Sequence, residues 1–143
     1  MSNDAPCVVL DASALLASAF GEPSGDFVRE LISGARISAA NWSEFFQKVQ
    51  QRGVATQGMR TELEAAGLCI VPVSAAHAEA AADLWSLCRP LGLSLADRLC
   101  LALAMAQPST VYTADRAWTQ LATLPAIEIV CIRPPAAVHD AGN

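Results

Sequence analysis

Four acidic residues, Asp11, Glu44, Asp97 and Asp115, each sit where the local pattern predicts the start of a helix. Asp11 follows the apolar run Cys7-Val8-Val9-Leu10, and Asp115 follows Thr110-Val111-Tyr112-Thr113. Glu44 ends Asn41-Trp42-Ser43-Glu44 and Asp97 ends Ser94-Leu95-Ala96-Asp97, both with the spacing of a capping box. In an open parallel sheet the crossover helices run antiparallel to their strands. Their N-termini therefore gather at the strands' carboxyl edge, where such folds place ligands. Four carboxylates on one rim repel one another unless a hard cation holds them. An all-oxygen cage suits Mg²⁺, with Mn²⁺ as a substitute, at a site that cleaves phosphodiesters.

Each acid also has an ordinary reading. Asp11 and Asp115 can be simple N-caps, and Glu44 and Asp97 can complete capping boxes behind Asn41 and Ser94. The helix macrodipole favours acids at these positions in any case. Ser13 and Thr113 flank the first and last acids as D-x-S and T-x-D. Their hydroxyls can orient carboxylates or a metal-bound water, and they can equally cap helices. Arg98 and Arg116 directly follow site acids and are candidate phosphate contacts, although neighbours on a helix point in different directions. Every charged residue between Glu44 and Glu62 is basic (Lys48, Arg52, Arg60), which reads as a short phosphate track or as a solvated helix face. Glu79 and Asp83 read as a solvated face, and His77 and His139 as isolated surface residues. Two such histidines build no Ser-His-Asp or Cys-His machinery, and neither a G-x-x-x-x-G-K-[ST] loop nor a G-x-G-x-x-G turn is present.

The elements that must position these residues alternate strand and helix. Strands are predicted over 6–10, 35–38, 68–73, 111–112 and 127–132. Between them lie helices over 14–20, after Ser24, from Asn41 to Gly53, from Thr56 to Gly67, from Ser74 to about Arg89, over 95–106 and over 116–121. The order implies one α/β domain over 1–143, a three-layer α/β/α sandwich around a mostly parallel sheet of about five strands, with residues 1–5 and 134–143 as loose tails. Trp42, Phe45, Phe46 and Val49 recur at i, i+3, i+4 and i+7 and predict an apolar helix stripe.

Bulk properties agree with one domain of 143 residues. The four acids account for most of the net charge of −5, so the acidity is largely the site itself. Hydrophobic residues make up 53% and charged residues 16%, which points to a partner surface or dimer interface, yet no apolar run is long enough to span a membrane. The five cysteines form no C-x-x-C pair and read as buried reduced thiols in a cytoplasmic protein.

Val9-Leu10-Asp11-Ala12-Ser13-Ala14-Leu15-Leu16 resembles the opening of a PIN domain. The segments from Leu93 to Ala104 and from Val111 to Trp118 resemble the later motifs of VapC-type toxins, and Glu44 completes the acidic pattern. The resemblance runs through essentially the whole chain. It implies a PIN fold and a Mg²⁺-dependent endoribonuclease, the toxin of a bacterial toxin–antitoxin pair. Motif by motif, it carries the catalytic and metal-binding quartet onto Asp11, Glu44, Asp97 and Asp115, with Asp11 and Asp97 as the foremost ligands and Ser13 and Thr113 in support. It further implies a homodimer and a small antitoxin that covers the site.

Two rival readings remain at this point. A phosphatase of the haloacid-dehalogenase type wants a second Asp where this chain has Ser13, and a late Lys where the sole lysine is Lys48. A non-catalytic binding module would use the acids only as caps.

Overall fold

The structure is a computed structural model that describes residues 5–121 and 124–133. Among the described residues five strands form one sheet: β1 (Cys7–Leu10), β2 (Arg36–Ser38), β3 (Cys69–Val71), β4 (Ser109–Thr113) and β5 (Ile127–Cys131). Their order is β3-β2-β1-β4-β5, and every pairing is parallel. The described residues also form α-helices between them: α1 (Ala12–Ala19), α2 (Gly25–Leu31), α3 (Ala39–Gln51), α4 (Met59–Ala65), α5 (Ala75–Asp83), α6 (Trp85–Cys88) and α7 (Leu95–Met105). Short 3-10 helices span Arg89–Leu91 and Arg116–Gln120.

The central strands β1 and β4 expose neither face, as parallel strands sandwiched by helices must. Successive side chains of β1 split between the two layers: Leu10 joins Leu15, Val28, Ile37 and Phe45 on one face, and Val9 joins Leu101, Leu103, Val111 and Trp118 on the other. Gly25 is required where α2 crosses α1, because a Cβ there would stand 2.3 Å from the Ala17 carbonyl oxygen. This close approach helps hold α1, and with it the residues that follow β1.

The chain steps outward from β1 to β2 and β3, then crosses back to place β4 on the opposite side of β1. The order therefore reverses between β1 and β4, which opens a crevice at their carboxyl ends. Leu10 pairs with Tyr112, so Asp11 and Thr113 emerge side by side at that crevice.

Several expected boundaries move. Asn41 does not cap α3. The helix starts directly after β2, with Ser38 as its cap, and Asn41 is wholly buried in its first turn. Glu44 consequently lies in the second turn rather than in a capping box. α4 begins at Met59 behind Gly58, whose φ of 80° marks the left-handed region, and not at Thr56. The long helix expected after Ser74 is broken into α5, α6 and a 3-10 turn ending at Gly92. Cys88 and Cys100 are buried, but Cys69 on the edge strand β3 is exposed, so uniform thiol burial is corrected. Apart from Ala5, both expected tails lie outside the described residues, as does His139. Among the described residues no helix is long and apolar enough to cross a membrane.

Candidate active site

Asp11 is the structural centre of the crevice. It caps α1, accepting from the Ala14 N–H at 2.9 Å on Oδ1, and it is 3% exposed. The Ser13 hydroxyl donates to the same oxygen at 2.7 Å, and the Thr113 hydroxyl donates to Oδ2 at 2.5 Å. Each hydroxyl has one proton, and both protons point at Asp11. The 3.4 Å approach of Ser13 Oγ to Thr113 Oγ1 is then a contact without a proton of its own. The lone pairs left over are used as well: Ser13 accepts from the Ala114 N–H at 2.8 Å and Thr113 from the Asp115 N–H at 3.0 Å. These two hydroxyls thus tie the end of β1 to the end of β4, which is more than local capping.

The other three acids come from three further elements. Asp97 closes a reciprocal capping box at the head of α7: its Oδ2 accepts from the Ser94 N–H at 2.9 Å, and its own N–H donates to Ser94 Oγ at 3.1 Å. Asp115 caps the following 3-10 helix by accepting from the Ala117 N–H at 2.9 Å. Glu44 reaches the crevice from the second turn of α3. Ordinary capping and a shared site are therefore compatible readings for Asp11, Asp97 and Asp115. One cleft of about 190 Å³ is lined by Asp11, Ser13, Glu44, Lys48, Ser94, Asp97 and Asp115.

The electrostatics follow from that crowding. Burial pushes the Asp11 carboxyl from 3.8 up to about 6; the donors from Thr113, Ala14 and Ser13 hold it down in part, and the Asp97 charge raises it further. Asp97 is raised, first by burial and then by Asp115, against the Ser94 bonds and Lys48. Glu44 is raised by burial and by Asp97, against Lys48 and Asn41. The Cys100 thiol lies beneath the cluster and is pushed well up by burial, then by Asp11, Asp97 and Glu44, so it stays protonated and unreactive.

Among the described residues no three His, Cys, Asp or Glu side chains are already gathered to hold a metal ion. The carboxylates share a cleft without forming a closed ligand set. The chemistry of the donors still fits a hard divalent cation: the cleft offers carboxylate and hydroxyl oxygens, no imidazole and no accessible sulfur.

The basic residues separate. Lys48 lines the cleft. Arg98 turns away, donating to the Ala81 carbonyl at 2.7 Å and so joining α7 to α5. Arg52 lies over the Phe20 ring, 4.1 Å from its centroid. Arg116 is exposed beside Asp115. His77 is half-buried on α5, and Glu79 and Asp83 are exposed, as the solvated-face reading expects.

Asn41 is the residue whose role the sequence pattern misassigned. Its Nδ2 donates to Glu44 Oε1 at 3.4 Å and to the Ala96 carbonyl at 3.2 Å, while its Oδ1 is buried with no partner. Both neighbours are acceptors, so only this orientation of the amide suits the site. The clue available beforehand was an Asn three residues before an acid. That spacing also describes a cap, and only burial separates the two.

The PIN domain family matches the chain over residues 8–124. This protein is a member of the PIN domain family. Its fold is similar to that of a toxin–antitoxin complex from Klebsiella pneumoniae, at 21% identity and a TM-score of 0.63, covering 85% of this chain and 95% of that one. DNA-bound VapBC from Salmonella typhimurium is similar at 12% identity and a TM-score of 0.65, covering 90% and 100%. VapBC2 from Rickettsia felis, bound to a promoter DNA fragment, is similar at 18% identity and a TM-score of 0.64, covering 87% and 98%. At these identities the likeness is one of PIN fold. No curated protein sequence matches the chain.

The hydroxyl bridge of this PIN domain makes a testable claim. In Thr113→Val the shape is kept, but Asp11 Oδ2 loses a donor and the Asp115 N–H loses an acceptor. Leaving such groups unpaired costs about 1–3 kcal/mol. The metal-free melting temperature should drop by several degrees, and Thr113→Ser should restore most of it. If thermal unfolding shows Val and Thr equally stable, the bridge contributes nothing beyond its methyl contacts.

Proposed function

We propose that this PIN domain is a Mg²⁺-dependent endoribonuclease, with Mn²⁺ able to substitute, and the toxin of a toxin–antitoxin pair. The observation that carries the reading is the convergence of four carboxylates from separate elements, with Lys48, on one small cleft at the switch point of the sheet. The fold likeness to toxin–antitoxin complexes supports the toxin assignment and a small antitoxin as partner. A homodimer and a cytoplasmic location belong to the same reading, and the exposed Phe27, Trp85 and Leu95 side chains are candidates for surface covered in such assemblies.

Asp11, Glu44, Asp97 and Asp115 would hold the cation. When bound, it would supply an activated water and neutralise charge on the phosphoryl oxygens. Ser13 and Thr113 keep both Asp11 oxygens oriented, and Asn41 holds Glu44 against the head of α7. Lys48 offers its ammonium to a phosphate oxygen at the cleft wall. Arg116, exposed beside Asp115, is a candidate contact further along the backbone; Arg98, held on the Ala81 carbonyl, and Arg52, lying over Phe20, are weaker candidates for their position. In the hydrolysis a water oxygen bonds to phosphorus and the P–O3′ bond breaks. The 3′ oxygen takes up a proton, leaving 5′-phosphate and 3′-hydroxyl ends.

The test is RNA cleavage by the purified protein with and without chelator. Activity should disappear in excess EDTA and return with added Mg²⁺ or Mn²⁺. Undiminished cleavage in EDTA would rule out the metal reading. Products ending in a 2′,3′-cyclic phosphate would show that the ribose hydroxyl, not water, is the attacking group.

A further inference from the structure

A second concavity lies between α3 and α4. It encloses about 550 Å³, nearly three times the cleft, and no role yet described uses it. Two walls are the Trp42 and Phe46 rings, both half-buried, with centroids 5.8 Å apart. Trp42 also stacks on the core residue Phe45 at 5.3 Å and 29°, which fixes its plane. The remaining wall is polar and exposed: Gln47 and Gln50 from α3, Thr61 and Arg60 from α4. Trp42 and Arg60 also line a neighbouring hollow of about 340 Å³, so both stand as a ridge between two depressions.

We propose that this groove binds an unpaired nucleobase of the RNA strand and sets which sequence is cut. The inference rests on the nuclease reading above, and three features of the groove favour a base as its occupant. First, its walls combine ring faces, a guanidinium and neutral amides. These are the groups that stack on unpaired bases and hydrogen-bond their edges, and every base has a ring face to offer. Second, the cleft and the groove are two faces of one helix. Glu44 and Lys48 face the acids, while Phe46, Gln47 and Gln50 face the groove, so a strand whose phosphate lies at Lys48 reaches the groove by passing over the exposed side of α3. Third, the charge suits a polyanion: Lys48 stands at the cleft and Arg60 at the groove. Arg60 is paired with Glu64 at 3.2 Å, but both side chains are exposed, so this ion pair is weak and readily exchanged for a phosphate.

The two glutamines carry the specificity. Each primary amide presents a donor and an acceptor side by side, able to read a base edge that the aromatic floor alone cannot distinguish. Trp42 supplies affinity common to all bases, and Gln47 with Gln50 supplies the preference.

The experiment uses Asp97→Asn protein, which should leave RNA uncut, and fluorescently labelled single-stranded hexamers of U, A, C and G followed by anisotropy. Adding Trp42→Leu is expected to weaken every hexamer by roughly tenfold, the scale of losing one base–aromatic stack. Adding Gln47→Ala together with Gln50→Ala is expected to narrow the spread among the four hexamers, with smaller change in the mean. Because both glutamines are exposed, that double variant keeps the test valid even if Trp42→Leu fails to fold. Affinities and spread equal to those of the parent would overturn the proposal, as would a parent that binds no hexamer. If light scattering in that case shows a changed mass for the variants, the groove is a contact between copies of the chain instead. A wild-type protein that cuts no RNA while the groove variants lose hexamer binding refutes the nuclease reading and leaves the groove standing; a wild type that cuts RNA while the variants bind as the parent does the reverse.

Discussion

Asp97→Asn is expected to abolish RNA cleavage while leaving the metal-free protein as stable as before, or more so. The loss of activity should be roughly 10³-fold or greater, beyond the tenfold to hundredfold that follows removal of a residue which only orients a metal ligand. The stability half follows from the capping box. Asn still presents an Oδ1 to the Ser94 N–H, so the bond recorded at 2.9 Å can persist. What disappears is a negative charge that the folded protein disfavours. The raised Asp97 carboxyl shows that burial and the Asp115 charge outweigh the Ser94 bonds and Lys48. Parallel RNA cleavage and thermal unfolding in EDTA check both halves. A marked fall in melting temperature, with cleavage retained, would make Asp97 a capping residue and nothing more.

The second large effect is an inversion of the pH dependence of stability by metal. Asp11 binds a proton up to about pH 6 in the folded protein against 3.8 for the ordinary group, so between these values the native state holds the extra proton. Stability contributed by the neutral carboxyl is complete below about 3.8 and is lost as pH rises through about 6. In full this is on the order of 3 kcal/mol, and between pH 5 and 7 roughly 1 kcal/mol. Glu44 and Asp97 are raised too and act in the same direction. The metal-free protein should therefore melt several degrees lower at pH 7 than at pH 5. In millimolar Mg²⁺ the slope should reverse, because the cation competes with protons for the same oxygens and binds best once they are ionised. Melting curves across this range, with EDTA and with Mg²⁺, are the measurement. A metal-free melting temperature that is flat or rises from pH 5 to 7 would contradict the crowding of charges in the cleft.

Much of this molecule could be read from local pattern. The alternation of short apolar runs with amphipathic segments implied a parallel sheet between two helical layers, because strands buried on both faces read as continuous apolar stretches. Asp11, Asp97 and Asp115 were legible because their placement is local: each lies at a helix start set by its immediate neighbours. The D-x-S and T-x-D pairs were visible as pairs, and their spacing showed that hydroxyls stood near carboxylates.

Tertiary structure decided how those pieces meet. Ser13 and Thr113 are separated by a hundred positions, and their shared grip on Asp11 depends on the Leu10–Tyr112 register of β1 and β4, a long-range pairing that no local window contains. Asn41 was assigned to a cap because Asn-x-x-Glu is a capping pattern. Ser38 at the very end of β2 took that place, leaving Asn41 buried between Glu44 and α7. Arg98 and Lys48 were equal candidates in the sequence, yet packing of α7 on α5 turns one to a carbonyl while α3 points the other into the cleft. The split has one physical cause. Caps, turns and periodicity depend on interactions within a few residues, whereas the direction of a side chain and the company a buried polar group keeps depend on which elements pack together.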